Sequence, residues 1–289
     1  MSFDGQNSGG AARQSRGSAG AGGAGQGGGR RRLPPALVEV VSTEMIAPRL
    51  RSVRVTGSEI GRFAEAAPTA HIKVFLPAPG QDAPTMPTDT PEGRVWPEDQ
   101  PRPMMRTYTP RSFDPTTNTL EIQFVLHGVG PASEWAERAQ VGDKIALGGP
   151  GGRFTASLAT PKWWIAGDES ALPAIGMLLD ALPASAAVDV HLEVASPEDE
   201  IEFSSNASAS VTWHHRANPD RYGDTLVEAA CAAQIDTGTQ VWVGCEADAV
   251  RTIRRHMLSE RNHAAELLVT RGYWRVGEAD HPDHDHGED

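Results

Sequence analysis

Arg106-Thr107-Tyr108-Thr109-Pro110-Arg111 places a guanidinium, an aromatic ring and two hydroxyls on one short segment. With the two-residue period of a strand, Arg106 and Tyr108 share one face and Thr107 and Thr109 the other. Pro110, which lacks an N–H, ends the ladder. Such a strand suits a flat, phosphorylated ligand: the ring stacks, the guanidinium forks onto phosphate, and hydroxyls or backbone groups reach heteroatoms. A half-buried edge strand without any ligand can carry the same residue types, so the neighbouring elements have to decide.

The next element adds a second phosphate-ready feature. Leu120, Ile122, Phe124 and Leu126 alternate along a strand that ends at His127, and Gly128-Val129-Gly130-Pro131-Ala132-Ser133 then opens a short helix. Pro131 fits the first helical turn, and Ser133 adds a hydroxyl near the backbone amides there. A glycine-rich entry into a helix N-terminus favours an anion, because unpaired N–H groups and the helix dipole point at it.

Two strand ends later in the chain are equipped in a similar way. Gly167-Asp168-Glu169-Ser170 follows Trp163-Trp164-Ile165-Ala166, and Gly244-Cys245-Glu246 follows Val241-Trp242-Val243, each just before a helix. The glycines permit close backbone approach, and Ser170 can cap a helix or donate to a ligand. Plain strand-to-helix capping by Asp168 and Ser170 explains the same residues, and no Gly-x-Gly-x-x-Gly fingerprint stands at either strand end.

The elements that must position these residues fall into two halves. Residues 36–157 read as short strands with turn punctuation: Leu37 to Ile46, Leu50 to Val55, His71 to Leu76, Met104 to Thr109, Leu120 to His127 and Lys144 to Leu147. Short strands closing on one another predict a small antiparallel β-barrel. Residues 78–103, rich in Pro, Asp, Gly and Thr, read as a long loop anchored by Trp96. From Trp163 onward strands alternate with helices, the helices spanning about Ala171 to Leu182, Leu226 to Ala233 and Asp248 to Arg261. The strands between them are Val188 to Val194, Val211 to His215, Val241 to Val243 and Leu267 to Thr270. That rhythm predicts a parallel sheet covered on both faces, with ligands outside the carboxyl ends of its strands.

A chain of 289 residues has room for two such domains. The divisions expected are a Gly/Arg-rich disordered tail over 1–33, a barrel domain over 34–158, an α/β domain over 159–277, and an acidic His/Asp tail over 278–289. The net charge of -12 argues against a nucleic-acid binder. Cys231 and Cys245 have no metal or redox spacing. No stretch reads as a membrane span or a secretory signal, so a soluble, cytoplasmic protein is expected.

The histidine-rich acidic tail reads as solvated rather than as a metal site. His71, His127, His214 and His215 lie on separate strands or point to opposite faces and read as core or rim residues. No metal ligand is assigned. Trp163-Trp164 reads as sheet packing. The Arg251, Arg254, Arg255 and Arg261 face of a helix reads as solvated, although it could also meet an acidic ferredoxin.

Taken in order, these motifs resemble the siderophore-interacting proteins, FAD-dependent ferric-siderophore reductases of the ferredoxin-reductase-like superfamily. The resemblance is carried by Arg106 to Thr109, His127 to Ala136 with Trp135, Gly142-Asp143-Lys144 and Gly149-Pro150. It continues through Gly167 to Ala174 and Gly272-Tyr273-Trp274-Arg275, and so spans about residues 36 to 277. It implies a two-domain fold, an FAD-binding antiparallel β-barrel followed by an NAD(P)-binding-like α/β parallel-sheet domain.

The same resemblance implies site roles. Arg106, Thr107, Tyr108 and Thr109 would contact FAD, with His127, Gly130, Pro131, Ala132 and Ser133 around its pyrophosphate. Gly167, Asp168, Glu169, Ser170 and Gly244 would face NADH or NADPH, with reduced ferredoxin as the other candidate donor. Lys73, Arg153 and Arg271 would attract a ferric siderophore. Gly151 stands where the family commonly has arginine after Gly-Pro, with the arginine displaced to Arg153. A general NAD(P)H-dependent flavin oxidoreductase with another acceptor, and a non-catalytic siderophore-binding module, are the alternative readings.

Overall fold

Apolar residues at every second position build the first half. In the computed structural model, which describes residues 33–90, 93–152, 154–279, 281 and 285–287, strands β1 (Ala36–Ala47), β2 (Leu50–Thr56) and β3 (His71–Leu76) are followed by a short hairpin. The hairpin is β4 (Thr88–Thr90) and β5 (Gly93–Val95), and after it come β6 (Met104–Tyr108), β7 (Pro110–Asp114), β8 (Thr119–Val125) and β9 (Lys144–Gly151). Seven of these form an antiparallel sheet in the order β6-β3-β9-β1-β2-β8-β7. Val40, Val53, Ile72, Val74, Ile122, Phe124 and Leu147 alternate into one buried core.

The edge strands β6 and β7 are separated in sequence by Thr109 alone, so the sheet curls until its two edges meet at that residue. Helix α1 (Pro131–Arg138) presses Ala132 and Ala136 into the barrel core, and Trp135 packs on Phe124 at 5.5 Å between ring centroids.

The second half alternates β10 (Lys162–Asp168), α2 (Leu172–Ala181), β11 (Ala187–Val194), β12 (Ser208–His215), α3 (Asp224–Ala232), β13 (Gln240–Glu246), α4 (Ala247–Arg255) and β14 (Leu268–Trp274). The five strands are parallel, in the order β12-β11-β10-β13-β14. Consecutive tryptophans divide between the faces: Trp163 joins Ile165, Val190, Trp242 and the α2 residues Leu172 and Ile175, while Trp164 joins Val241, Val243, Leu226 of α3 and Val250 of α4. Both therefore pack the sheet, as the sequence suggests.

The barrel reaches into this second core. Ala47 and Leu50, at the β1–β2 turn, pack with Trp163 and Ile165, and Arg49 pairs with Asp199 at 2.6 Å. Arg111 on β7 lies across Gly176 of α2, where a Cβ would sit 2.7 Å from its Nε, and pairs with Asp180 one turn further on at 2.6 Å. Arg111 is thus a clamp between the halves rather than part of a ligand-facing strand.

Several elements differ from their sequence expectation. Pro110 does end the β6 ladder, but it also begins β7, which the sequence hides because Pro-Arg-Ser-Phe-Asp does not alternate. The long loop contains the β4–β5 hairpin, and Trp96 anchors it by packing on Phe75 at 5.9 Å. Strand β14 runs on to Trp274, well past the expected Thr270.

The C-terminal tail departs from a solvated one at the residues that are described. Asp285 takes a hydrogen bond from Arg251 at 2.8 Å and lies 2.9 Å from His281 Nε2, while Gly272 N–H donates to Asp285 O at 2.9 Å. These residues therefore fold back along β14 and α4. The expected disordered segment over 1–33 lies outside the described residues except for Leu33.

Candidate functional site

The barrel seam and the carboxyl ends of the parallel strands face one another across a cleft of about 1040 Å³. Residues from four predicted motifs line it: Arg106 to Thr109, His127 with Gly130 to Ser133, Asp168 to Ser170, and Arg271. Because a sheet that curls shut brings its first and last strands together, Thr109 sits where both edges can address the cleft.

On the barrel wall, Tyr108 is held by Phe124 at 4.4 Å between ring centroids, and burial pushes its phenol up from the ordinary value. It is a neutral, braced ring. Arg106 lines the cleft and donates to the carbonyl of Met105 at 2.8 Å.

The turn into α1 is closed internally, since His127 N–H donates to the Ser133 hydroxyl at 3.1 Å. Gly130, at φ 86°, adopts the left-handed backbone this entry requires. The first bond of the turn runs from Glu134 N–H to Gly130 O, so the amides of Ala132 and Ser133 precede the intrahelical ladder. The Ser133 hydroxyl is committed to shaping the turn; its backbone, not its side chain, is what the turn presents to an anion.

The opposite wall is a network of buried carboxylates. Asp168, only 1 % exposed, receives Ser170 N–H at 2.9 Å and the Ser170 hydroxyl on one oxygen, and Trp274 Nε1–H at 2.8 Å and Glu246 N–H at 3.0 Å on the other. It thereby ties the ends of β10, β13 and β14 together. Burial, with Glu169 beside it, raises its carboxyl to about 7 against the pull of those donors.

Glu169 takes both terminal nitrogens of Arg216, one at 2.8 Å, and Glu193 lies 3.5 Å from the same guanidinium. Arg216 also lies over the Tyr222 ring at 4.8 Å, and Tyr222 meets Trp274 edge-on at 4.6 Å. Sequence reasoning did not single out Arg216, Tyr222 or Trp274 as lining residues. Arg216 directly follows β12 and Tyr222 precedes α3, without any motif, whereas Trp274 ends β14 within the Gly272 to Arg275 stretch.

Three expected site residues stand elsewhere. Gly167 and Gly244 are cross-strand partners whose missing side chains leave room for α2 and the preceding turn: a Cβ on Gly167 would meet Ile175 at 2.7 Å and Ala171 at 2.8 Å, and one on Gly244 would meet Trp242 at 2.6 Å. The close approach they permit is made by the protein itself. Lys73 is on the barrel's outer face, donating to the Thr107 hydroxyl at 2.7 Å, and does not line the cleft. Arg153 lies outside the described residues.

His71, which was not expected in the site, lines the cleft and lies over Gly151: a Cβ there would be 2.7 Å from His71 Nε2. Among the described residues, no group of three or more His, Cys, Asp or Glu is placed to hold a metal ion, and no helix is long and apolar enough to cross a membrane.

Comparison with known proteins places both halves. A siderophore-interacting FAD-binding domain model matches residues 39–154, and a siderophore-interacting protein model matches residues 160–277. Ferric vibriobactin reductase ViuB of Vibrio cholerae is 32% identical over 260 residues, covering 88% of this chain and 94% of that protein. An NADPH-dependent ferric-chelate reductase of Escherichia coli is 38% identical over 147 residues, covering 50% of this chain and 55% of its own. The crystal structure of a siderophore utilization protein from T. fusca superimposes with a TM-score of 0.77 at 32% identity, over 88% of this chain and 98% of that one.

Proposed function

Since the chain belongs to the siderophore-interacting protein family, we propose that it is an FAD-dependent ferric-siderophore reductase that takes electrons from NADH or NADPH and passes them to chelated Fe(III). The observation that carries this reading is the meeting, in one cleft, of the braced Tyr108 strand, the amides at the start of α1 and the carboxyl ends of a parallel sheet. The residues present fit FAD, because a stackable ring, a guanidinium and unladdered helix amides all face the same space.

Once bound, FAD supplies the exchange of an electron pair for single electrons. The chain's contribution is placement. Tyr108 offers a ring that packs on Phe124, Arg106 and the amides of Ala132 and Ser133 would supply positive charge to the diphosphate, and Thr107 and Thr109 would add polar groups to the hold. Asp168, Glu169 and Ser170 fix the far wall against which a nicotinamide would lie, and Trp274 covers its side.

Arg271 on that wall, with Lys73 on the outer barrel face, would supply the cationic field toward an anionic ferric chelate. Reduction promotes release because hard oxygen chelators hold Fe(II) more weakly than Fe(III). The reaction belongs in the cytoplasm, where nicotinamide donors are kept reduced.

Anaerobic stopped-flow mixing tests the proposal. The purified protein should show flavin absorbance, be bleached by NADH or NADPH, and recover its colour faster with a ferric siderophore than in buffer alone. No acceleration by any ferric siderophore would overturn the acceptor assignment. Bleaching by reduced ferredoxin but by neither nucleotide would overturn the donor assignment.

A further inference from the structure

We propose that His71 determines acceptor specificity. The glycine run at the end of β9 seats its imidazole at the rim of the cleft, where it donates a hydrogen bond to the oxygen ligands of a ferric chelate. This assignment rests on the reductase reading above, which supplies the chelate.

The placement follows from the alternation of β3. Ile72, Val74 and Leu76 fill the barrel core, and His71 and Lys73 share the opposite face. Antiparallel pairing sets Ile72 opposite Tyr108 and Lys73 opposite Thr107, so His71 stands one residue beyond the partner of the stacking ring. The half-buried His71 lines the cleft and Lys73 does not. One face of β3 therefore carries two nitrogen-bearing side chains in a row, from the outer barrel wall into the site.

β9 makes room for this row by bringing no side chains to it. Gly151 is the cross-strand partner of His71, and Gly148 that of Lys73. A Cβ on Gly151 would stand 2.7 Å from His71 Nε2 and 3.3 Å from Cδ2 and Cε1, and one on Gly152 would stand 3.2 Å from Nδ1. The imidazole thus occupies the volume that a side chain from β9 would need, and any larger residue at 151 has to displace the ring. The position after Pro150, where arginine is common in the family, is given over to a group from the neighbouring strand.

The backbone entering β3 is held in an unusual conformation at the same place. Thr69, two residues before His71, lies at φ 59° and lines the cleft. A β-branched residue in the left-handed region is strained, and such strain clusters beside ligands. The chemistry matches: the oxygens that hold ferric iron carry negative charge and accept strongly from an imidazole N–H. His71 would act on every oxygen chelate, whereas the charge of Lys73 favours anionic ones.

The test uses the FAD-loaded full chain and two redox-inert Ga(III) complexes, an anionic tricatecholate and a neutral trihydroxamate, with binding read from flavin fluorescence. The matching Fe(III) complexes give KM and kcat. His71→Ala should weaken both gallium complexes by roughly fivefold to tenfold, the loss of one hydrogen bond to a charged oxygen, and raise KM in step while kcat at saturation is held. His71→Gln, which keeps an N–H donor, should recover most of the affinity. Gly151→Ala should weaken binding as His71→Ala does and add nothing further in the His71→Ala background, where the ring it displaces is gone. FAD content and thermal midpoints identify any variant that fails to fold, and the His71→Ala and His71→Gln pair carries the test without Gly151→Ala.

Unchanged gallium affinity in folded His71→Ala would overturn the assignment. Loss of FAD along with chelate binding would overturn it too, by giving His71 to the cofactor. A parent protein that binds the gallium complexes and reduces neither ferric one removes the reductase reading and leaves the His71 contact. A parent that neither binds nor reduces removes both.

Discussion

Replacing Asp168 by asparagine separates two effects that the structure sets against each other. Burial and the adjacent Glu169 move this carboxyl from 3.8 to about 7, whereas an unfolded chain titrates it near ~3.9. Folding therefore favours the protonated form. The associated stability is fully present below about pH 4 and is lost as pH rises through 7. At about 1.36 kcal/mol per unit, and with the group half ionised at pH 7, the interval from pH 5 to pH 7 removes about 2.3 kcal/mol.

Asparagine has no such slope. It also has a single acceptor oxygen where Asp168 receives Ser170 N–H, the Ser170 hydroxyl, Trp274 Nε1–H and Glu246 N–H, so its amide group faces donors. Two mismatched bonds destabilise by roughly 2–6 kcal/mol. The variant should thus be weaker than the parent at pH 5, with the gap narrowing by about 2.6 kcal/mol at pH 8. Urea unfolding at both pH values, with the same excess of FAD and tryptophan fluorescence as the signal, measures the gap. A gap constant to within about 0.5 kcal/mol would refute the raised carboxyl, because every other titrating group is common to both proteins.

Three further outcomes are expected. Arg106→Ala combined with Tyr108→Ala should purify without FAD, since the stacking face and a phosphate partner are both removed; stoichiometric flavin absorbance would contradict the assignment. Lys73→Ala should keep FAD and raise the KM for an anionic ferric chelate severalfold with little change for a neutral one, and equal loss on both would exclude an electrostatic role. Gly167→Ala should lower stability by roughly 1–3 kcal/mol through overpacking against Ile175 and Ala171, read as a lower thermal midpoint with FAD content retained; an unchanged midpoint would show that α2 yields freely.

The features that depend on short-range pattern were legible in the sequence. Alternation in Leu120 to Leu126, the glycine-rich entry before Pro131 and the strand–helix rhythm after Trp163 each state their local structure, and the fold follows from their order. Contacts between distant segments leave no such trace. Gly167 reads like a ligand-facing glycine until its neighbours Ile175 and Ala171 are seen filling the space, and Ser133 reads like an anion donor until His127 is seen using its hydroxyl. Arg216 stood among polar loop residues with no periodicity, and only the fold brings it to Glu169 and Glu193.

The segment from Arg106 to Arg111 has two functions because the barrel closes within it. Tyr108 ends β6 facing the cleft, and three residues later Arg111 on β7 crosses Gly176 and pairs with Asp180 of α2. The cofactor seat and the clamp to the second core are therefore linked through one closing turn rather than through the long connection at 152–161. Ala47 and Leu50 lock the same interface from the β1–β2 turn, and Arg49 adds its pair with Asp199. With buried packing and charge pairs on separate strands, a rotation of one half against the other would have to break several contacts at once. The Tyr108 strand and the Asp168–Trp274 wall are consequently tied together by these same contacts.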